Sequence, residues 1–544
     1  MLTRLAKMEI GWRLFWVFAL LYFAFPSARF YWDGVEYAQL AERAVNWREV
    51  LHPHHLFYNL LVLWVTRLIA IPLHVVHPGL VSQQWLNALL GAFGVMFFYR
   101  TTRYFFTDPL AWQLAAIGGS AYTWWLYSAD HAPYIPSVFR LVLAFQLMVF
   151  ACKDPLFKPG KLYMQGVNIF LAVMLHQAAV FFVPLYLYFL WVKTKETDDP
   201  AYYRVAGLTF SVGLIAFHYV LFGFVSLQLP DLPAFAHWVT EYGHDPRWWY
   251  LSDVSRQISE LGSAIAKSHV ATFLYPDYLY GDFHYAPAGT GLALALDCAK
   301  KLLLIVILWN GIPAVLGGFQ HLALFLRLQP PMISRILTWW AILFFLFFAF
   351  FQPQQPFYRL FYFVPMLLLI GVGIDRGLRI AGKVWQPQAA WLLGALFLYN
   401  FGAGILPAHD PTKNIWLEEA KLIGEDIPPG TVVVITGKES FSLSEHRDAT
   451  RMWELVEYLN GELPGPDHAN AVEVVYAYPP DKGHDPIYAR EYLQPEFFAP
   501  YERLWFCVGF APPVEPAALF QRLEDHTFAH KDLEPRLSRW DQHL

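Results

Sequence analysis

Apolar stretches near twenty residues long recur along this chain, and that repetition limits the folds open to it. They lie near 11–26, 80–98, 110–128, 134–152, 162–176, 177–192, 205–227, 301–323, 334–352, 357–374 and 387–405. About twenty apolar residues wound as a helix match the thickness of a bilayer's hydrocarbon core. Inside that core a helix satisfies its own backbone polar groups. The expected architecture is therefore an all-α polytopic membrane protein with about eleven transmembrane helices. Composition agrees: 56% of residues are hydrophobic, 18% aromatic and only 15% charged. The formal net charge is -5, and no basic stripe is present, so nucleic acid is excluded as a partner. Cys152, Cys298 and Cys507 are too scattered for a disulfide framework or a zinc pattern.

Positive charge sets the expected orientation. Arg4, Lys7 and Arg13 place the N-terminus in the cytoplasm, ahead of an uncleaved first span. Arg100, Arg103, Lys153, Lys158, Lys161, Lys193, Lys195, Arg204, Arg327, Arg335, Arg376, Arg379 and Lys383 then fall on the same side. This holds provided that Leu56–Ile71 does not cross, and forms a juxtamembrane or re-entrant helix on the outer side instead. Two large outer segments follow, 27–80 and 228–300. In the second, Leu251, Val254, Ile258, Leu261 and Ile265 recur at three- and four-residue steps, which predicts an amphipathic helix on the bilayer. The short runs 162–176 and 177–192 meet at His176-Gln177 as a hairpin whose tip lies near or below the outer surface.

Beyond residue 405 the composition changes, and 406–544 reads as a small extracytoplasmic α/β domain. Thr431–Thr436 and Leu504–Val508 are the expected strands. Helices are expected near 415–423, 450–459 and 516–523. The address this predicts is a multi-pass plasma (inner) membrane protein.

Residues able to carry chemistry gather at the outer ends of the apolar runs. Asp33 and Glu36 are three apart, at the expected first turn of a helix, where its dipole favours carboxylates. Asp33 is the candidate general base, and its aromatic neighbours can exclude water and tune its proton affinity. Either acid can equally be a cap or a solvated charge. His52, His54 and His55 surround Pro53. They lack an obvious further ligand for zinc, and suit phosphate binding or holding the loop. Asp130-His131 ends the Trp124–Ala129 run, where an acid is costly unless it faces a polar cavity. Arg359 opens another run on the outer side, and its planar guanidinium suits a lipid phosphate or simple snorkelling. Tyr37, His131, Trp249 and Asp282 are the candidates for sugar or acceptor contact, though aromatic residues there also serve as an interfacial belt.

The first two hundred residues resemble the GT-C superfamily of membrane glycosyltransferases. More narrowly, they are similar to the branch of protein O-mannosyltransferases and aminoarabinose transferases. The resemblance is carried by Asp33-Gly34-Val35-Glu36-Tyr37, by His52-Pro53-His54-His55-Leu56, by Gln84–Gly91 and by Trp124–Tyr134; Arg359–Pro365 adds to it. It implies that 1–405 is a transmembrane catalytic module taking a sugar from a polyprenyl-phosphate carrier on the outer face. Asp33 would be the base and Asp130 would help position a glycan, lipid or protein acceptor. Arg359 would hold the donor phosphate, with His52, His54 and His55 beside it. A single displacement through an oxocarbenium-like transition state inverts the anomeric centre. No cofactor is expected, although a pyrophosphate carrier would bring in a divalent metal. The pattern often has two adjacent acids where this chain has Asp33-Gly34, which leaves the role of Glu36 open. A transporter or lipid flippase is the competing class. It would place ionisable residues near the midplane and often show internal repeats, and neither is evident here.

Overall fold

The computed structural model describes residues 9–30, 32–153, 160–240, 249, 254–276, 291–381, 387–413, 417, 431–436, 458, 473–477 and 503–507. From the N-terminus come α1 (Ile10–Ala24), α2 (Trp32–Arg43), α3 (Leu56–Val65, wound on to Ala70), α4 (Pro78–Thr102), α5 (Leu110–Ser120) and α6 (Tyr122–Ala129). Next are α7 (Tyr134–Lys153), α8 (Gly160–Leu175), α9 (Gln177–Glu196), α10 (Pro200–Ser226), α11 (Leu232–Val239) and α12 (Val254–Phe273). The series ends with α13 (Gly291–Arg327), α14 (Pro331–Phe350), α15 (Phe363–Ala381, preceded by a 3-10 turn over Pro356–Tyr362) and α16 (Pro387–Asn400).

Among the described residues, eight helices are long and apolar enough to cross a membrane: α4, α7, α9, α10, α13, α14, Pro356–Arg376 and Gln388–His409. A chain with this many such helices is a multi-pass membrane protein. The runs at α1, Leu56–Ala70 and α8 form shorter apolar helices. Leu20, Leu302, Trp309, Phe319 and Trp391 are exposed, which a bilayer tolerates and water does not. The interior is built instead from aromatic rings, with Tyr22, Trp124, Trp125 and Trp340 fully buried. Small residues let backbones meet: a Cβ on Gly373 of α15 would lie 1.8 Å from the Ala314 carbonyl oxygen of α13.

Three sequence expectations are revised. The run 110–128 is not one helix, because Ala121 takes an extended conformation (ψ 133°) and separates α5 from α6. Apolarity continues through the break, so hydropathy does not register it. The carbonyl of Ser120, orphaned by the break, accepts a hydrogen bond from Asn400 Nδ2 at 2.9 Å. The same amide donates to Phe273 O at 2.7 Å and accepts from Tyr275 N at 2.9 Å, so one buried side chain joins three segments. Second, the run 301–323 belongs to a helix of 37 residues beginning at Gly291, inside the stretch assigned to the outer segment. Third, the amphipathic helix of the second outer segment does not simply rest on lipid. The C-terminal half of α12 is docked into the bundle, with Ser268, Ala271 and Thr272 fully buried.

A second compact unit comprises 411–544 with 284–286. Within it three parallel strands pair in the order β2-β1-β3, where β1 is Thr431–Thr436, β2 Glu473–Ala477 and β3 Arg503–Cys507. Val433 stands opposite Val474 on one side and Trp505 on the other. β2 was absent from the sequence expectation. Of the helices expected near 415–423 and 450–459, Leu417 and Tyr458 are helical and buried; the one near 516–523 lies outside the described residues.

Candidate functional site

The segment joining α1 to α2 is stitched down along its length. Ser27 N donates to Ala129 O at 2.8 Å, Ala28 N to Ala408 O at 2.7 Å, and Gln84 Nε2 to Ser27 O at 2.7 Å. Phe30 is held at φ 49°, a left-handed conformation uncommon for an aromatic residue. α2 then begins at Trp32 and carries Asp33 in its first turn, half-buried. Glu36 is exposed, so the two carboxylates three apart divide between environments rather than sharing one. Gly34 follows Asp33 because nothing larger fits: a Cβ there would stand 2.2 Å from His131 Cδ2 and 2.4 Å from His131 O. The Gly34 carbonyl accepts from Gln83 Nε2 at 2.7 Å, and Gln83 Oε1 accepts from Tyr58 OH at 3.2 Å. Asp33 is thus one residue from a direct contact with the Asp130–His131 pair.

Asp130 terminates α6 and is fully buried. A carboxylate at the negative end of a helix dipole in a dry interior needs compensation. Arg29, itself nearly buried, supplies it with Nε 4.0 Å from Oδ2, and its guanidinium lies over the Tyr127 ring at 5.7 Å. The backbone on either side of His131 is clamped by Asn87, whose Nδ2 donates to Asp130 O at 2.7 Å and Ala132 O at 2.8 Å. Oδ1 of Asp130 accepts from the His131 backbone N–H at 2.8 Å and stands 3.1 Å from His131 Nδ1. Burial lowers the proton affinity of His131, opposed by Asp130 and aided by Arg29.

The expected histidines form a cluster with a fourth member. His52 and His55 stack at 5.8 Å, His54 lies 5.4 Å from His52, and His176, at the tip of the α8–α9 hairpin, meets His55 edge-on at 4.6 Å. Tyr37 of α2 packs at 5.4 Å from His55 and 6.0 Å from His52, so α2 connects the acids to the imidazoles. The hairpin tip is covered by this loop, since Gln177 N donates to His54 O at 2.9 Å. Burial and mutual repulsion push His54 down to about 2; burial pushes His55 down to about 3. Burial also takes His176 well below 6.5. His54, His55 and His176 are therefore neutral at pH 7 and offer hydrogen bonds rather than positive charge.

A pH dependence follows with a definite sign. An unfolded imidazole titrates near 6.5, whereas folded His55 resists protonation down to about 3. Between those values the unfolded chain binds the extra protons. This contribution to stability is therefore whole above pH 6.5 and falls as pH drops through that window. Thermal melts in detergent are expected to show a lower Tm at pH 5 than at pH 7.5, with His55→Gln removing part of the difference. An identical pH slope in the variant would contradict the assignment.

Arg359 is buried in the 3-10 turn Pro356–Tyr362. Side chains three apart eclipse in such a turn, so Arg359 and Tyr362 both meet α12. Arg359 Nε donates to Ser268 Oγ at 3.0 Å, and Tyr362 OH pairs with His269 Nε2 at 2.8 Å. Arg359 Nη2 donates to Pro353 O at 2.5 Å, while Nη1 has no hydrogen-bond partner among the described residues. The other side of the turn faces the histidines: Phe361 lies 4.9 Å from His176, and Phe357 stacks at 4.4 Å on Tyr134, which in turn packs 5.2 Å from His176.

Trp249 is not joined to these groups by any of these contacts. It bridges to Phe351 and packs on Phe347 and Phe351 at 5.9 and 5.4 Å. Asp282 lies outside the described residues. No metal-holding group of three His, Cys, Asp or Glu occurs among the described residues. Sequence reasoning missed Arg29, Asn87, Gln83 and Ser268. Arg29 left a trace as a basic residue in Ser27-Ala28-Arg29-Phe30 on the side where arginine is disfavoured, and Asn87 lies within the Gln84–Gly91 segment without being singled out.

No family model and no curated protein matches the sequence. Among solved structures, the chain is similar to ArnT from Cupriavidus metallidurans bound to undecaprenyl phosphate. Identity is 13% and the TM-score 0.46, over 86% of this chain and 90% of that one. It is also similar to the Archaeoglobus fulgidus oligosaccharyltransferase tethered with an acceptor peptide, at 12% identity and TM-score 0.44, over 84% of this chain and 64% of that one. These are likenesses of chain path between distant sequences, and the chemistry below rests on this chain's own residues.

Proposed function

We propose that this protein is an inverting membrane glycosyltransferase of GT-C type, moving a sugar from a polyprenyl-phosphate carrier to an acceptor at the extracytoplasmic face. The observation that carries the reading is the gathering of buried and half-buried ionisable side chains at helix ends. Asp33 opens α2, Asp130 closes α6, His52, His54 and His55 precede α3, His176 closes α8, and Arg359 precedes α15. A transporter places such groups near mid-helix, where a discontinuous span binds its cargo. Ends of spans are where a lipid-borne headgroup and a polar acceptor can both reach.

In this scheme Asp33 accepts the proton of an acceptor hydroxyl, which attacks the anomeric carbon from the face opposite the phosphate. The departing phosphate gains charge, and the guanidinium of Arg359 has an N–H left for it. The neutral histidines add N–H donors. A monophosphate carrier calls for no metal here, and a pyrophosphate carrier would add one. In this reading the N-terminus lies inside, and the C-terminal unit lies outside as an α/β recognition domain for the acceptor or a partner.

The deciding assay uses purified protein in nanodiscs with labelled polyprenyl-phosphate sugars and cell-envelope acceptors. Release of free polyprenyl phosphate with label on an acceptor is the expected outcome. Movement of intact labelled lipid between leaflets, with the sugar–phosphate bond unbroken, would establish the flippase class instead.

A further inference from the structure

We propose that Asp130 and His131 form a proton-relay dyad: Asp130 holds the imidazole by its Nδ1 side, and Nε2 takes on the proton that Asp33 removes from the acceptor. This deepens the glycosyltransferase reading and rests on it. Neighbouring residues in a chain rarely aim their side chains together, and here the backbone arranges it. Asp130 is extended (φ -105°, ψ 174°), and Asn87 pins the carbonyls of Asp130 and Ala132 on either side of His131. The result is a carboxylate oxygen 3.1 Å from Nδ1, with both side chains buried.

Nδ1 has the Asp130 carboxylate as an ion-pair neighbour but makes no hydrogen bond in this geometry, and Nε2 is likewise buried with no hydrogen-bond partner among the described residues. Leaving a buried polar atom unmet is costly, so such an atom calls for an explanation. The ring edge that carries Nε2 also carries Cδ2, which touches Gly34 in the first turn of α2. Nε2 therefore lies beside the turn that presents Asp33. The charged and titratable groups around the ring are Asp130 on its own segment, Arg29 across from Asp130, and Asp33 in the adjoining turn. Phe30 packs on the ring at 5.9 Å, with His77 on Phe30 in turn at 6.5 Å. Burial lowers the proton affinity of the ring and keeps it neutral at rest, and the Asp130 carboxylate opposes that lowering.

The step balances. The acceptor O–H bond breaks as its oxygen bonds the anomeric carbon, and the carbon–oxygen bond to phosphate breaks with its electron pair leaving on phosphate. The proton passes to the Asp33 carboxylate and then to His131 Nε2, giving an imidazolium beside Asp130. It leaves to water when product departs, and Asp33 is again anionic. His131 is the acceptor of the transferred proton, and Asp130 is a positioning residue acting through it.

Two measurements on full-length protein in nanodiscs test this. Nitrogen-15 histidine NMR, with the His131 signals identified by their loss in His131→Gln, should show the Nδ1–H tautomer with Nε2 bare. Asp130→Asn should shift the tautomer balance and move protonation to lower pH. In kinetics, His131→Gln should keep donor affinity, lose about tenfold or more in kcat and displace the acid limb of the pH–rate profile. An Nε2–H tautomer in the wild type, or an unaltered tautomer in Asp130→Asn, would overturn the dyad. So would wild-type kcat and pH profile in His131→Gln. If the wild type transfers no sugar, the glycosyltransferase reading fails, while the tautomer still decides whether the dyad exists. Should His131→Gln not fold, Asp130→Asn supplies the pH profile.

Discussion

Asp33→Asn is expected to lower kcat for sugar transfer by about 10²–10⁴-fold, the range a positioned general base supplies. The substitution keeps the shape of the side chain and removes its basicity. Asp33 is only half-buried at the first turn of α2, and an amide can remain there without leaving a charge unmatched. Tm should therefore hold within a few degrees, and affinity for the polyprenyl-phosphate donor should be unchanged. That combination separates chemistry from structure, because a residue that merely capped α2 would lose stability and keep turnover. Glu36→Gln is the comparison. Glu36 is exposed on the same helix, and its loss should leave turnover near the wild-type level. Full activity in Asp33→Asn would remove this carboxylate from the mechanism, and equal losses in both variants would return the role to the pair.

The apolar runs were enough to place most of the helices because lipid imposes length and composition on whatever crosses it. They could not show the interruption at Ala121, since Tyr122–Ala129 is as apolar as what precedes it and the break is stabilised by Asn400 from far along the chain. The acids at 33 and 130 were visible as costly residues at the ends of apolar runs. Their companions were not: Arg29 pairs with Asp130 across about a hundred residues, and His176 joins His55 only when the α8–α9 hairpin packs under the 52–55 loop. The spacing of Asp33 and Glu36 suggested a shared face; a three-residue step still separates the two by about 60° around the helix, and the boundary between half-buried and exposed runs between them. Strand β2 is five residues long, too short for its pattern to stand out from the surrounding tail.

Gly34→Ala is the change with the largest expected effect on the site for the smallest change in composition. Two terms oppose each other. Alanine stabilises a helix by about 1 kcal/mol over glycine. Against it, the added Cβ would stand 2.2 Å from His131 Cδ2 and 2.4 Å from His131 O. The second contact is with backbone that Asn87 holds from both sides, so a rotamer change cannot relieve it. Overpacking of this kind costs about 1–3 kcal/mol, and the net stability loss is the smaller remainder. The chain can recover most of it only by moving the first turn of α2 away from Asp130–His131, which carries Asp33 with it. Transfer should accordingly fall by at least about tenfold while Tm drops by only a few degrees, a misplacement effect rather than unfolding. Gly394→Ala is the control, since a Cβ there meets nothing within 4 Å, and it should be neutral or slightly stabilising. A fully active Gly34→Ala protein would mean that the contact between α2 and His131 has no part in the reaction, and the joint site of Asp33 and Asp130 would have to be abandoned.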